Sequence, residues 1–228
     1  MTRRLRIVAA VALLLGSCGL AFVGCGEKSS PPPALVSSAA AADTQLKKAQ
    51  GSPPEVVVYA SELQNGALSE FDSWNDPASP GGRMVGTPNK GDELDPPPEN
   101  DPHVTFKVLV QRDIPYRCWI HMKVGAPKGK SQANVLWVQL SDAVDKERQE
   151  VFKPGTGSYL TARAPAREGW TWVACDFVEP KSSLIYFRTS GEVTVRLQAG
   201  MEGVGFDQFL LSPARFLGGP PSEPIVRK

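Results

Sequence analysis

The stretch VTVRLQAGMEGVGFDQFLLSP, residues 193–213, decides the fold. Val193, Val195 and Leu197 alternate with Thr194, Arg196 and Gln198, the period-2 pattern of a strand with one buried face. Gly200, Gly203 and Gly205 then give the backbone the freedom to reverse. Phe206, Phe209 and Leu211 restart an apolar run that Pro213 ends. The whole reads as the last hairpin of a β-sandwich. Asp207 opens its closing strand, where a carboxylate is costly to leave unpaired, so a cation, backbone N–H groups or a ligand at the sandwich rim is expected beside it.

Outward from this hairpin, further short strands are expected at 55–59, 104–110, 116–124, 135–140, 150–152, 171–173 and 184–188. Their number and spacing predict an all-β, antiparallel sandwich over residues 55–213, with little helix. The chain has 228 residues, 21 glycines and 21 prolines, which suits one loop-rich domain with flanking segments. A formal charge of +1, without a basic stripe, argues against a nucleic-acid partner. Residues 64–102 form a long stretch rich in Gly, Pro, Asn and Asp, expected to be functional or ordered by packing on the body.

Before the domain, Arg3, Arg4 and Arg6 precede an apolar run from Ile7 to Val23, the pattern of a targeting segment over residues 1–25. A small residue before a cysteine fits a lipoprotein signal. Cys25 is the expected acylation site, because cleavage there releases the polar run Gly26 to Ser30; Cys18 is the alternative. The chain is then expected outside the cytoplasm, lipid-anchored to the cell envelope. Residues 26–54 read as a Pro/Ser/Ala-rich tether stiffened by Pro31, Pro32 and Pro33, and residues 214–228 as a surface tail.

Alternation on 116–124 places Tyr116, Cys118, Ile120 and Met122 in the core, and Arg117, Trp119, His121 and Lys123 on the other face. On 135–140, Leu136, Val138 and Leu140 point inward, leaving Trp137 and Gln139 outward. Trp119 and Trp137 are expected to share an outer sheet face, either open or covered by the 64–102 stretch. Trp170 and Trp172 flank a strand start and are expected near Asp207 and Gln208 at one rim. Cys118 and Cys175 either pair as a disulfide or pack as small hydrophobes. They and the two histidines, His103 and His121, lack the close spacing of a zinc site. Neither a Gly-x-Ser-x-Gly elbow, nor a His-Glu-x-x-His helix, nor a phosphate loop occurs, and Asp142 and Asp145 fall in a polar turn, so no enzyme is expected.

The order Arg196-x-Gln198, glycine turn, Asp207-Gln208 to Ser212 resembles the C-terminal end of galactose-binding-like jelly-roll carbohydrate-binding modules, families 6 and 35. It resembles more closely a bacterial extracytoplasmic relative of them. YRCWIHMKV at 116–124, VLWVQLSD at 135–142 and GWTW at 169–172 extend the resemblance over most of the domain. Where those relatives carry Arg-Glu-Asp before the turn glycine, this chain has Gly200-Met201-Glu202.

The resemblance implies a non-catalytic domain that binds a glycan or cell-envelope polysaccharide. Trp170, Trp172, Asp207 and Gln208, with Trp119 and Trp137, are the candidate binding residues: aromatic rings stack on the sugar and polar groups bond its hydroxyls. It also implies a structural calcium held by first-strand carboxylates and a last-strand aspartate. Asp207 matches the aspartate and Glu62 is the nearest first-strand carboxylate. Tyr59 and Ser61 stand where the family has glutamates, which leaves the site two carboxylates short. The alternative is an envelope structural or protein-interaction module that kept the fold without the sugar site.

Overall fold

The computed structural model describes residues 53–125, 134–150, 152–165, 167–177 and 183–227. The expected signal segment with Cys18 and Cys25, and the expected tether up to residue 52, lie outside them. Gln50–Lys228 forms one compact unit.

Its strands are β1 (Val56–Tyr59), β2 (Leu68–Ser69), β3 (Asp72–Asn75), β4 (Arg83–Gly86), β5 (His103–Val110), β6 (Tyr116–Val124), β7 (Val135–Leu140), β8 (Ala143–Val144), β9 (Leu160–Arg163), β10 (Gly169–Asp176), β11 (Leu184–Phe187), β12 (Gly191–Ala199) and β13 (Gly205–Ser212). Every strand pairing among them is antiparallel, as the sequence predicts for a jelly-roll sandwich. The helical content of the described residues is two 3-10 turns, Ala60–Glu62 and Asn65–Ala67. Glu150 and Phe152, expected in a strand, lie outside any strand, whereas β2, β3, β4, β8 and β9 had no counterpart in the sequence reading.

One sheet runs from the β3–β4 hairpin through β13 to β6, with β1 also on β13 and with β10 and β11 on β6. The other runs β2, β5, β12, β7, β9, so β12 and β13, expected to form the last hairpin, lie in different sheets and do not pair. β10 joins them, pairing Gly169 to Ala174 with β6 and Cys175 and Asp176 with β9. Between the sheets, Phe106 of β5 meets Phe209 of β13 edge to face, with centroids 5.2 Å apart. Leu136, Val138 and Leu140 face Ile120, Met122 and Phe206 in the same fully buried core. Packing these apolar faces against each other is what holds the two sheets together.

The closing strand carries a bulge. Phe206 pairs with Met122 and Gln208 with His121, so Asp207 is the extra residue. The bulge lets Phe206 and Phe209, three positions apart, both enter the core. The close approach of β4 to β13 requires Gly86, since a Cβ there would lie 2.4 Å from the Val204 carbonyl oxygen.

Trp119 and Trp137 do not share a face, because β6 and β7 belong to different sheets. Both are buried. Trp137 packs on Tyr159 on the outside of the β7 sheet, with centroids 5.7 Å apart. There Gln139 donates to the carbonyls of Lys153, Thr156 and Ser158 at 3.2, 2.8 and 3.0 Å. Beside it, Arg196 donates to Gln198 Oε1 and to the Glu99 carbonyl, and Gln198 Nε2 donates to the Asp95 carbonyl at 2.7 Å. The Arg-x-Gln pair thus anchors the 95–101 loop, satisfying amides that would be costly to bury alone.

Candidate functional site

The other outer face, that of the β6–β13 sheet, gathers four of the candidate residues around His121. Trp172 of β10 pairs with His121 in register, and Trp170 pairs with Lys123. The Trp170 ring stacks on the imidazole with centroids 4.9 Å apart and an 11° interplanar angle, and Trp172 tilts against it at 5.0 Å. His121 Nδ1 lies 2.7 Å from Asp207 Oδ1, and Gln208 sits opposite His121 on β13.

These residues do not form an open rim. Asp207 is 1% exposed and Gln208 fully buried. The cation expected beside Asp207 is supplied, when protonated, by His121. The residues after Pro213, read from the sequence as a surface tail, cross this face as a strap. Trp119 Nε1 donates to the Phe216 carbonyl at 2.8 Å and Trp172 Nε1 to the Glu223 carbonyl at 3.2 Å. Gln208 donates to the Ile225 carbonyl at 2.6 Å and accepts from the Ile225 N–H at 2.9 Å. Arg227 closes the strap on Glu62 and lies over the Tyr59 ring, 4.8 Å from its centroid. Trp119 is therefore covered by this strap and not by the 64–102 stretch. A cavity of about 470 Å³ remains between Trp170, Trp172, His121 and the strap prolines 220, 221 and 224.

The donor set does not suit the implied calcium. Asp207 is engaged by His121, Glu62 by Arg227, and the described residues hold no cluster of three or more His, Cys, Asp or Glu. Calcium takes six to eight oxygen ligands, which these two carboxylates do not approach.

An open groove lies beside this face. The β3–β4 hairpin, at the end of the sheet, forms one wall of a cleft of about 860 Å³. Trp74, 37% exposed, stands in it with Asp72, Asn75, Asp76, Asn89, Lys123 and Glu168. The hairpin loop is pinned by its own polar groups: Asp76 Oδ1 accepts from the Ala78 N–H at 3.0 Å, and Ser79 Oγ donates to the Arg83 carbonyl at 2.9 Å. Lys123, at the end of β6, bonds the Asp76 carboxylate and fixes the hairpin to the sheet. That bond holds the Asp76 carboxyl below its ordinary range, against the opposing effect of burial. Lys123 Nζ also lies 5.6 Å from the Trp170 centroid, so the groove and the His121 cluster share a wall. Gly203, at φ +87°, turns against Asn89, whose side chain a Cβ would meet at 2.6 Å.

Chemically, the groove offers an exposed indole flanked by amides and carboxylates. Asp72 and Glu168 are exposed. An apolar ring beside hydroxyl acceptors is the arrangement that recognises a polyhydroxylated ring in water. Sequence reasoning missed Trp74. It lies in the 64–102 stretch on a strand exposed at all four positions, so no alternation marked it.

No family model and no curated protein matches the chain. Among solved structures, the chain is similar in fold to a β-(1,4)-mannanase of Podospora anserina with a family 35 module, at 14% identity and a TM-score of 0.45. That match covers 73% of this chain but only 29% of the mannanase. It is similar to the C-terminal family 6 module of a marine laminarinase from Zobellia galactanivorans, at 11% identity and a TM-score of 0.43, covering 70% of this chain and 99% of the module. It is similar also to a family 36 carbohydrate-binding module solved with calcium and xylotriose, at 10% identity and a TM-score of 0.38, covering 68% and 98%.

Proposed function

We propose that this chain is a non-catalytic glycan-binding domain whose ligand lies in the Trp74 groove, held to the cell envelope by an acylated Cys25. The observation that carries the reading is the exposed Trp74 indole in a cleft of about 860 Å³ bordered by amides and carboxylates. The cleft falls in the size range of small-molecule sites. Of the tryptophans nominated from the sequence, Trp170 lies beneath Lys123 at the wall of that groove, and Trp172 holds the strap over the neighbouring cavity.

The rival, an envelope interaction module without a sugar site, draws support from the strap, which takes up the side-chain amide of Gln208 and the indole N–H of Trp172. A glycan microarray probed with the detergent-solubilised full chain separates the two. Binding to a defined glycan class that Trp74→Ala weakens supports the proposal. An array without signal, or one on which Trp74→Ala binds like the parent, favours the rival. Membrane attachment is tested separately: mass spectrometry of the membrane-extracted protein should find a diacylglyceryl group on Cys25, and an unmodified soluble chain would contradict it.

A further inference from the structure

We propose that Cys118 and Cys175 become a disulfide when the chain folds in contact with a disulfide-bearing oxidant, stapling β6 to β10 where β10 passes from one sheet to the other. The two sulfurs lie 3.1 Å apart and both residues are fully buried. The β6–β10 register pairs Trp119 with Ala174. Cys175, the next residue of β10, turns to Ala162 of β9 just past that pair, and both cysteines lie in the core between the sheets. An S–S bond is about 2.05 Å long, so the sulfurs have about 1 Å left to close.

The neighbours explain what the link would do. On its other side Cys118 pairs with Leu211 of β13, while Cys175 pairs with Ala162 of β9. The bond therefore ties the centre of one sheet to the strand that enters the other, across a sequence separation of 57 residues. Cross-linking a loop of that size removes much of the freedom of the unfolded chain.

The chemistry is thiol–disulfide exchange. With oxidised glutathione, one cysteine thiolate attacks a glutathione sulfur, forms a mixed disulfide and expels one glutathione thiolate. The second cysteine thiolate then attacks the protein sulfur of the mixed disulfide and expels the other. Two protons leave the cysteines, and two electrons pass to glutathione, which ends as two thiols. Burial pushes the Cys175 thiol well above its ordinary range and closes it from solvent. Exchange accordingly precedes closure of the core, and the finished bond is shielded from reductant.

The full chain, unfolded and reduced, is refolded in a glutathione redox buffer, alkylated in denaturant with iodoacetamide, and digested with trypsin without reduction. The expected product is a linked pair of the peptides 118–123 and 168–181, which survives added reductant until denaturant is present. The Cys118→Ala/Cys175→Ala variant should melt about 10 °C lower than the oxidised parent and lose its response to redox buffer. Alkylation of both cysteines in protein that has refolded overturns the proposal, as does linkage of either to Cys18 or Cys25. The peptide map decides the matter even if the double variant does not fold.

Discussion

His121 and Asp207 form a buried pair across neighbouring strands, with Nδ1 and Oδ1 2.7 Å apart at the one bulge of the closing strand. The second carboxylate oxygen of Asp207 is buried without a partner among the described residues. The pair is part of the framework: it sits beneath Trp170 and Trp172 and fixes where β13, β6 and β10 meet. Asp207→Ala removes the partner of a buried imidazole and is expected to cost about 2–3 kcal/mol in urea unfolding. An unchanged midpoint would show that the pair carries no structural weight.

The strap is the second structural element that can be tested singly. Gln208 holds both the N–H and the carbonyl of Ile225. Gln208→Ala leaves those groups to water and frees the strap end, at an expected cost of about 2 kcal/mol. The same variant should shift tryptophan emission to the red, as Trp172 loses its cover. A blue or unshifted spectrum with native stability would mean that the strap is not seated on this face.

Acid sensitivity follows from Asp76. Its carboxyl is held low in the folded state, chiefly by the Lys123 hydrogen bond. The stabilisation is therefore fully present above the ordinary carboxyl value of 3.8 and is lost as pH falls through the lower folded value. Lys123 is partly exposed, so screening keeps the contribution near 1 kcal/mol. Asp76→Asn should lower stability by about that amount at pH 7 and flatten the loss of stability below about pH 4. Parallel curves for parent and variant would contradict the assignment.

Chelation should have no effect on folding. Arg227 takes Glu62 and His121 takes Asp207, which leaves no calcium ligand pair at the implied position. The melting temperature in excess EDTA is expected to equal that in excess calcium. A rise of several degrees on adding calcium would show that the two carboxylates are recruited to a metal.

What the sequence disclosed follows from period-2 patterning. β6, β7 and β12 each have one face of continuous apolar residues, so Tyr116 to Met122 and Leu136 to Leu140 could be assigned to the core from spacing alone. Spacing did not reveal which sheet each strand joins, and for that reason Trp119 and Trp137 were expected together. The strap was illegible because Gly218, Gly219, Pro220 and Pro221 carry no periodicity; it is held mostly through its backbone carbonyls and N–H groups, which almost any sequence supplies. The β3–β4 hairpin was hidden for a related reason. Its outer strand is exposed throughout, so its residues are free of the alternation that burial imposes.

The central claim rests on Trp74, and isothermal titration of the parent and Trp74→Ala with the array-selected glycan tests it most directly. Removing the ring costs about 1–2 kcal/mol of stacking and buried area, so affinity should fall by roughly 5–30-fold, while the domain stays folded at the assay temperature. Equal affinity in parent and variant would contradict the account and move the binding site elsewhere on the fold.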